Sequence, residues 1–322
     1  PNIVRNFFSA AGCRVKSVAD SRAERRQALA VQHPTVQALG EASEIISDRE
    51  IDAVVIATPV STHFELAKRA LENGKHVLIE KPMTASVRDA QTLIELAQKR
   101  GLTLMVDHTF LYTGAVQKIK ELITSGQVGR LLYFDSSRIN LGLFQPDVNV
   151  LWDLASHDIS ILSYLVAETP TSVNATGISH TRNGVENIAY MTLNYSSDFI
   201  AHFDCSWTSP VKVRQTLIGG DSKMIVYNDL EPSDKVRVYD TGYQLKNDED
   251  KTRLLIDYRV GDVYIPKLSA REALAGVAED FAASIIHQRA PLSSAALGLQ
   301  VIKILEASQE SIRNGGREVK IG

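Results

Sequence analysis

The chain has 322 residues, 44% hydrophobic and 23% charged, a composition typical of a globular protein with two domains. Its 35 basic and 38 acidic residues give a net charge of -3 without a dense basic block, which argues against nucleic acid and anionic membranes as partners. Only two cysteines, Cys13 and Cys205, occur and no apolar run approaches the roughly 20 residues of a membrane span, so we expect a cytoplasmic protein without a disulfide framework.

The first third of the chain alternates helical and strand patterns. A helical face over residues 3–11 stops near Gly12, and the strand that follows ends at Asp20. Further strands are predicted at 53–57, 76–80 and 102–106, with helices at 22–32, 63–73 and 86–100. Apolar strands that alternate with helices indicate a parallel sheet covered on both faces, so we predict a doubly wound, Rossmann-like α/β domain over residues 1–108.

Beyond residue 108 the pattern changes to that of an α+β domain. Helices are predicted at 114–125 and 149–166, followed by runs rich in β-branched and aromatic residues with no helix between them. Two helices, 270–287 and 296–314, close the chain. We therefore predict a large, mostly antiparallel sheet in a second domain, 109–322, that serves substrate binding and oligomerisation. The polar segment 242–253 is expected to be a solvated hairpin tip or a mobile loop.

Polar residues follow each of the four predicted strands, and the carboxyl ends of parallel strands line the ligand crevice of such a sheet. The residues are Asp20, Thr58 with Pro59, Glu80 with Lys81, and Asp107 with His108. In dinucleotide-binding folds an acidic residue about 20 positions beyond a glycine-rich turn binds the ribose hydroxyls. Asp20 is placed for that role if a first strand and its glycine turn precede Pro1, which is our expectation.

Residues 52–90, DAVVIATPVSTHFELAKRALENGKHVLIEKPMTASVRDA, carry a more specific pattern: an apolar strand, T-P-x-x-x-H, a helix, and a strand that ends in E-K-P. This segment resembles the Gfo/Idh/MocA family of oxidoreductases, which includes glucose-fructose oxidoreductase and inositol dehydrogenase. LWDLASHDISIL, residues 151–162, looks like the family's D-x-x-x-H helix, and residues 298–316 resemble its final helix. The resemblance covers nearly all of the chain and implies a nicotinamide-dependent enzyme.

Oxidation of a secondary alcohol needs a hydride acceptor and a group that takes the hydroxyl proton. Lys81 follows a buried strand, where desolvation and a positively charged nicotinamide would both lower its pKa. His157 lies four residues after Asp153, so both project from one helix face, and a carboxylate there can fix the imidazole tautomer. The resemblance implies the same roles: His157 as acid/base, Asp153 orienting it and binding substrate, and Lys81 contacting the reacting oxygen.

NAD is the predicted cofactor, because Asp20 would repel a 2'-phosphate, and Arg22 makes NADP the alternative. His63 either faces the cofactor or simply begins a helix. Five other polar residues, Asp107, His108, Asp158, His180 and His202, fit no standard ligand spacing, so no metal is predicted. The predicted cofactor contacts are Asp20, Arg22, Ala57, Thr58, Pro59, His63, Glu80 and Lys81.

The stretch before the predicted catalytic helix, SSRINLGLFQPDVNVLWD, is polar enough to suit a hydroxyl-rich ligand, or alternatively to solvate a loop. It is similar to family members found with bacterial polysaccharide genes, which implies a sugar or nucleotide-sugar. Asp147 adds to its polarity. The predicted substrate contacts are Arg138, Asn140, Asn149, Trp152, Asp153 and His157.

We therefore predict an NAD-dependent dehydrogenase that transfers hydride between the nicotinamide and a secondary hydroxyl of a sugar or nucleotide-sugar. The alternatives are a non-catalytic dinucleotide-binding regulator and an NAD-dependent glycosidase; the joint presence of Lys81, Asp153 and His157 favours catalysis. Apolar residues on both faces of the second sheet also predict a homodimer or homotetramer formed through that sheet. They are Tyr190, Leu193, Ile200, Phe203 and Trp207.

Overall fold

The computed structural model describes residues 2–145, 148–244 and 257–322, which divide into two compact units. The first comprises Pro1–Thr113 and Arg271–Ile302, and the second Gly114–Ala270 and Lys303–Gly322. Asp147 lies outside the described residues, as does the predicted polar loop from residue 245 onward. Within the described chain, no helix combines the length and the apolar character that crossing a bilayer requires.

The first 113 residues alternate helices and short strands. In chain order these are α1 Asn2–Ser9, β1 Ser17–Ala19, α2 Ala23–Gln32, β2 Gln37–Leu39, α3 Ala42–Ser47, β3 Ala53–Ile56, α4 His63–Glu72, β4 His76–Glu80, α5 Val87–Arg100 and β5 Leu104–Asp107.

The rest of the chain begins with a helix and is then mostly strand. Its elements are α6 Gly114–Thr124, β6 Leu131–Leu141, α7 Ser156–Leu165, β7 Ser172–Ile178, β8 Ile188–Asn194, β9 Ile200–Ser206, β10 Thr208–Gly220, β11 Met224–Asn228, β12 Val236–Tyr239, β13 Gly242–Gln244, β14 Asp257–Arg259, β15 Val263–Tyr264, α8 Ala273–Ile286, α9 Ala295–Arg313 and β16 Val319–Lys320.

The strands of the first unit are parallel, which confirms the predicted Rossmann-like sheet. β3, β4 and β5 form one ladder, in which Ala53 pairs with His76 and Glu80 pairs with Asp107. β1 and β2 form a separate two-stranded ladder. Within the described residues these two ladders share no strand pairing, and the strand expected before Pro1 stays a prediction.

β4 is buried on both faces, because helices cover it from both sides. Val77 and Ile79 pack in the cluster that includes α4 and α5, while Leu78 packs on the opposite side with Met105 and Phe281. A strand buried on both sides needs an unbroken apolar run, which is the pattern VLI supplies.

Helix α8 was predicted to close the second domain, yet it belongs to the first unit. Val277 and Phe281 of α8 are 1% and 2% exposed and pack against Leu78 and Met105. The compact units therefore differ from the predicted division at residue 108, since the sheet face opposite α4 and α5 is covered by a helix from far along the chain. The functional assignment of the two domains stays a proposal.

The second unit is built on a nine-stranded sheet in the order β15-β12-β11-β10-β6-β9-β8-β7-β16. β6 and β9 are parallel and the other neighbours antiparallel, which confirms the predicted large and mostly antiparallel sheet. Residues alternate between a buried and an open face. Leu193, Phe203 and Trp207 are buried, whereas Tyr190 and Ile200 are 49% and 48% exposed. The apolar residues therefore supply mainly the buried face.

Candidate active site

Asp20 follows β1 and is surrounded by arginines. Its carboxylate accepts the backbone N–H of Arg22 at 3.0 Å and a guanidinium N–H of Arg25 at 3.4 Å. The bond from the Arg22 backbone, assisted by both arginine charges, holds the Asp20 pKa below its ordinary value although burial acts in the opposite direction. Arg22 and Arg25 have side chains that are 54% and 58% exposed, so this acidic residue lies between two accessible cations. Sequence reasoning named Arg22 and missed Arg25.

The predicted contacts after β3 are surface residues in a tight turn. Ala57, Thr58 and Pro59 are exposed. The Thr62 hydroxyl donates to the Pro59 carbonyl at 2.8 Å, and the Thr58 and Thr62 hydroxyl oxygens are 2.7 Å apart. The turn leads directly into α4, whose first residue is His63.

His63 links the turn after β3 to the chain after β4. Its ring is 1% exposed, with Nε2 at 2.8 Å from the Thr58 carbonyl oxygen and Nδ1 at 2.9 Å from the Pro82 carbonyl oxygen. His63 therefore begins a helix, as one interpretation of the sequence holds, while its ring lies between two loops that carry predicted cofactor contacts.

The ends of β4 and β5 place two carboxyl groups side by side. Glu80 pairs with Asp107 in the ladder, and Asp107 is 3% exposed. Burial and then the Asp107 charge raise the pKa of Glu80 to about 7, and burial raises the pKa of Asp107 as well. The Lys81 backbone N–H donates to Glu80 at 3.1 Å, and the Thr109 hydroxyl donates to Asp107 at 2.6 Å. The half-buried Lys81 therefore follows a carboxyl group that can hold a proton near neutral pH.

His108 lies at the same sheet edge and was absent from the predicted contacts. Its ring is buried, and neither ring nitrogen has a hydrogen-bond partner within the described ranges. Burial and then the Lys81 charge lower the pKa of His108 to about 3, so the ring is neutral. Its position directly after a predicted strand was the feature of the sequence that could have identified His108 as a residue of this site.

Asp153 and His157 lie on one helical run in the second unit. Residues Leu151–Ala155 form a π-helical turn that continues into α7, so Asp153 lies in the π segment and His157 in the α segment. Both residues are half-buried, and the Trp207 indole Nε1 donates to the Asp153 carboxylate at 3.0 Å. π turns are rare and recur at functional sites. The sequence predicted the shared helix but neither the π turn nor Trp207 as a partner.

Arg138 makes a buried ion pair with the residue that follows His157. Its Nε and Nη2 donate to the Asp158 carboxylate at 2.7 and 2.6 Å, and the two side chains are 4% and 3% exposed. Two parallel bonds of this kind fix both groups in one geometry. Arg138 thus ties β6 to α7; the substrate contact predicted for it stays a prediction.

Asn149 caps the helical run. Its amide oxygen accepts the backbone N–H groups of Leu151 and Trp152 at 3.1 and 3.2 Å, and its amide nitrogen donates to Glu186 and Gln309. These four bonds use the whole hydrogen-bonding capacity of the side chain. The predicted substrate contact would require one of them to break.

The two remaining predicted substrate residues differ in exposure. Trp152 is only 8% exposed, so its ring contributes mainly to the interior. Asn140 is half-buried near the end of β6, where the pairing with β10 shifts between Thr208 and Val213. Of the two, Asn140 is the better placed for solvent-borne ligands.

Comparison with known proteins gives two adjoining matches. The family model described as "Oxidoreductase family, NAD-binding Rossmann fold" matches residues 3–108, and the model described as "GFO/IDH/MocA C-terminal domain" matches residues 116–226. Together they cover most of both structural units.

Individual relatives agree with these matches. A UDP-N-acetylglucosamine 3-dehydrogenase from Acidithiobacillus ferrooxidans is 34% identical over 194 residues, 58% of this chain and 58% of that protein. A scyllo-inositol 2-dehydrogenase (NAD(+)) from Bacillus subtilis is 27% identical over 195 residues, 57% of each chain. The matched regions thus span less than two thirds of either relative. The solved structure of the Acidithiobacillus ferrooxidans enzyme has a TM-score of 0.81 at 24% identity and covers 98% of this chain and 95% of its own.

The Glu80 carboxyl group is expected to make the protein less stable as pH rises. Its folded pKa of about 7 lies above the ordinary value of 4.5, so its stabilising contribution is fully present below about 4.5 and is lost as pH rises through 7. Glu80→Gln should therefore leave the unfolding temperature nearly unchanged near pH 4.5 and raise it relative to wild type near pH 8. Differential scanning calorimetry at both pH values measures this.

Glu95→Gln is the matched control, since it makes the same chemical change on the exposed side of α5. An equal response of the two variants at both pH values would contradict the assigned Glu80 environment.

Proposed function

Because this chain belongs to the Gfo/Idh/MocA family of oxidoreductases, we propose that it is an NAD-dependent dehydrogenase of a nucleotide-sugar. The reaction transfers hydride between the nicotinamide and a secondary hydroxyl of the sugar. The single observation that supports this most strongly is the coexistence of Lys81 after β4 with Asp153 and His157 on one helical run. A protein that only binds dinucleotide has no use for a pair of proton-transferring groups.

The residues of the first unit suit a dinucleotide. The partly exposed Asp20 carboxylate can accept hydrogen bonds from ribose hydroxyls, and residues 57–59 after β3 are exposed to solvent. When bound, the nicotinamide supplies the hydride acceptor. Glu80 and Lys81 lie at the end of β4 and complete the proposed cofactor contacts. His63, which was predicted as a further contact, is buried between the two loops that carry them.

The proton steps are assigned to this chain's own side chains. His157 takes the proton of the reacting hydroxyl at its imidazole, and Asp153 orients that ring and contacts the substrate. Asp153 is itself held by the Trp207 indole, so the orienting carboxylate does not depend on the ligand for its position. The Lys81 ammonium stabilises the negative charge that develops on the reacting oxygen.

A nucleotide-sugar is favoured over a free sugar by the relative that acts on UDP-N-acetylglucosamine. The test is reduction of NAD by the purified protein with UDP-N-acetylglucosamine, other UDP-sugars, free sugars and inositols. Turnover of a UDP-sugar supports the proposal. Turnover of free sugars or inositols alone would contradict a nucleotide-sugar substrate. Release of an aglycone without net formation of NADH would indicate a glycosidase. Binding of NAD without turnover of any substrate would indicate a non-catalytic regulator.

Removing the proposed proton-transfer groups should damage chemistry more than cofactor binding. His157→Ala is expected to lower kcat on the order of 100- to 10,000-fold, the usual contribution of a general acid or base. Lys81→Ala should lower it at least as much. Steady-state kinetics measures kcat, and calorimetric titration measures NADH affinity, which should be retained by His157→Ala.

His180→Ala is the control, because His180 is an exposed histidine of the same unit that bonds Asn187. Near-normal kcat of His157→Ala across the pH range would remove His157 from the mechanism and leave Lys81 as the base.

Cofactor choice should depend on the charges around Asp20. NAD is expected to be preferred over NADP, and Asp20→Ala should reduce the ratio of the two kcat/KM values about tenfold, the effect of ~1.4 kcal/mol of lost repulsion. Arg25→Ala should increase the ratio, because it removes a cation 3.4 Å from that carboxylate. A wild-type preference for NADP would contradict this role of Asp20.

We also propose a homodimer or homotetramer assembled through the open face of the nine-stranded sheet, where Tyr190 and Ile200 are half exposed. Ile200→Asp should then shift the mass measured by light scattering toward the monomer. Val31→Asp places the same charge on an 83% exposed valine of α2 and should change nothing. A monomeric wild type at micromolar concentration would overturn the proposed assembly.

A further inference from the structure

His63 occupies an unusual position between two acceptors. The Thr58 carbonyl, 2.8 Å from Nε2, belongs to the turn after β3, and the Pro82 carbonyl, 2.9 Å from Nδ1, belongs to the chain after β4. The ring is 1% exposed, so bulk water does not reach it. One buried side chain therefore spans the two loops that follow neighbouring strands.

Carbonyl oxygens can only accept hydrogen bonds, and a neutral imidazole carries a single N–H. Both bonds form only when both ring nitrogens carry protons. A neutral ring would instead direct one nitrogen lone pair at a carbonyl oxygen within hydrogen-bond distance, in a place where no solvent can compensate. Only the imidazolium form satisfies both acceptors, and the two short distances therefore favour it.

His63 is the first residue of α4, a position that by itself disfavours a protonated ring. The N-terminal end of a helix carries partial positive charge and disfavours a cation there. The two carbonyl groups direct their negative ends at the ring and offset that effect, through hydrogen bonds that a charged donor strengthens. A histidine that served only to begin the helix would need neither acceptor.

We propose that His63 is a positioning residue which, as an imidazolium, fixes the spacing between the Thr58 turn and the Lys81–Pro82 segment. This link keeps the distance between two proposed cofactor contacts, Thr58 and Lys81, constant whichever ligand binds. Its functional consequence rests on the proposed function, since a fixed separation matters for catalysis only if both loops contact the cofactor.

The protonation state can be measured without activity. In protein labelled with ¹⁵N at histidine, two-bond ¹H–¹⁵N spectra near pH 7 should show both His63 ring nitrogens protonated, with the signal assigned by its absence in His63→Asn. His76 is the internal reference: its Nδ1 accepts the Thr103 N–H at 2.9 Å and burial lowers its pKa, so it should show a neutral ring protonated at Nε2. A neutral His63 pattern would overturn the proposal.

The positioning role has its own test. His63→Phe and His63→Gln should raise the calorimetric Kd for NADH at least about tenfold, because small displacements of binding groups carry costs of that size. His76→Phe is the matched control, a half-buried histidine at the opposite end of β4, and should lower the unfolding temperature without changing the Kd. Unchanged NADH affinity in both His63 variants would overturn the positioning role.

These arms separate the two proposals. A protonated His63 and weakened NADH binding in its variants, in a protein that oxidises no sugar, would uphold the positioning role and refute the proposed dehydrogenase. Sugar oxidation by a wild type whose His63 is neutral would do the reverse.

Discussion

The two-sided burial of β4 is the constraint on which the arrangement of the first unit depends. Val77, Leu78 and Ile79 are enclosed between helices on both faces, so polar side chains occur only at the two ends of this strand, His76 and Glu80. Parallel pairing then aligns that end with the end of β5, which brings Glu80 beside Asp107. The carboxyl groups of Glu80 and Asp107 therefore lie at the carboxyl end of the sheet, because its interior is filled by apolar side chains.

The elements that could be predicted are those whose own residues carry the pattern. The apolar run of β4 and the helix over residues 87–100 are of this kind, the latter with Ser86 accepting the Asp89 N–H and Gly101 in the left-handed region at its end. β2 was missed because its three residues are exposed or half-buried and show no apolar signal. The apolar residues of α8 indicated burial, but a periodic pattern does not say which sheet will cover it.

The candidate site divides in the same way. Positions at strand ends and the four-residue spacing of Asp153 and His157 are sequence properties, and they were predicted. The cap made by Asn149, the Arg138–Asp158 pair and the raised pKa of Glu80 depend on partners distant in the chain, such as Gln309 and Asp107. The sequence alone identifies a polar residue, but it does not show whether a distant part of the chain already occupies its hydrogen-bonding groups.

The contact between Trp207 and Asp153 has an optical consequence. The chain contains two tryptophans, Trp152 and Trp207; one lies in the π turn and the other donates its indole N–H to the carboxylate proposed to orient the acid/base. Indole emission responds to hydrogen bonding and to nearby charge. Tryptophan fluorescence therefore reports on the surroundings of the proposed catalytic helix, without an added label.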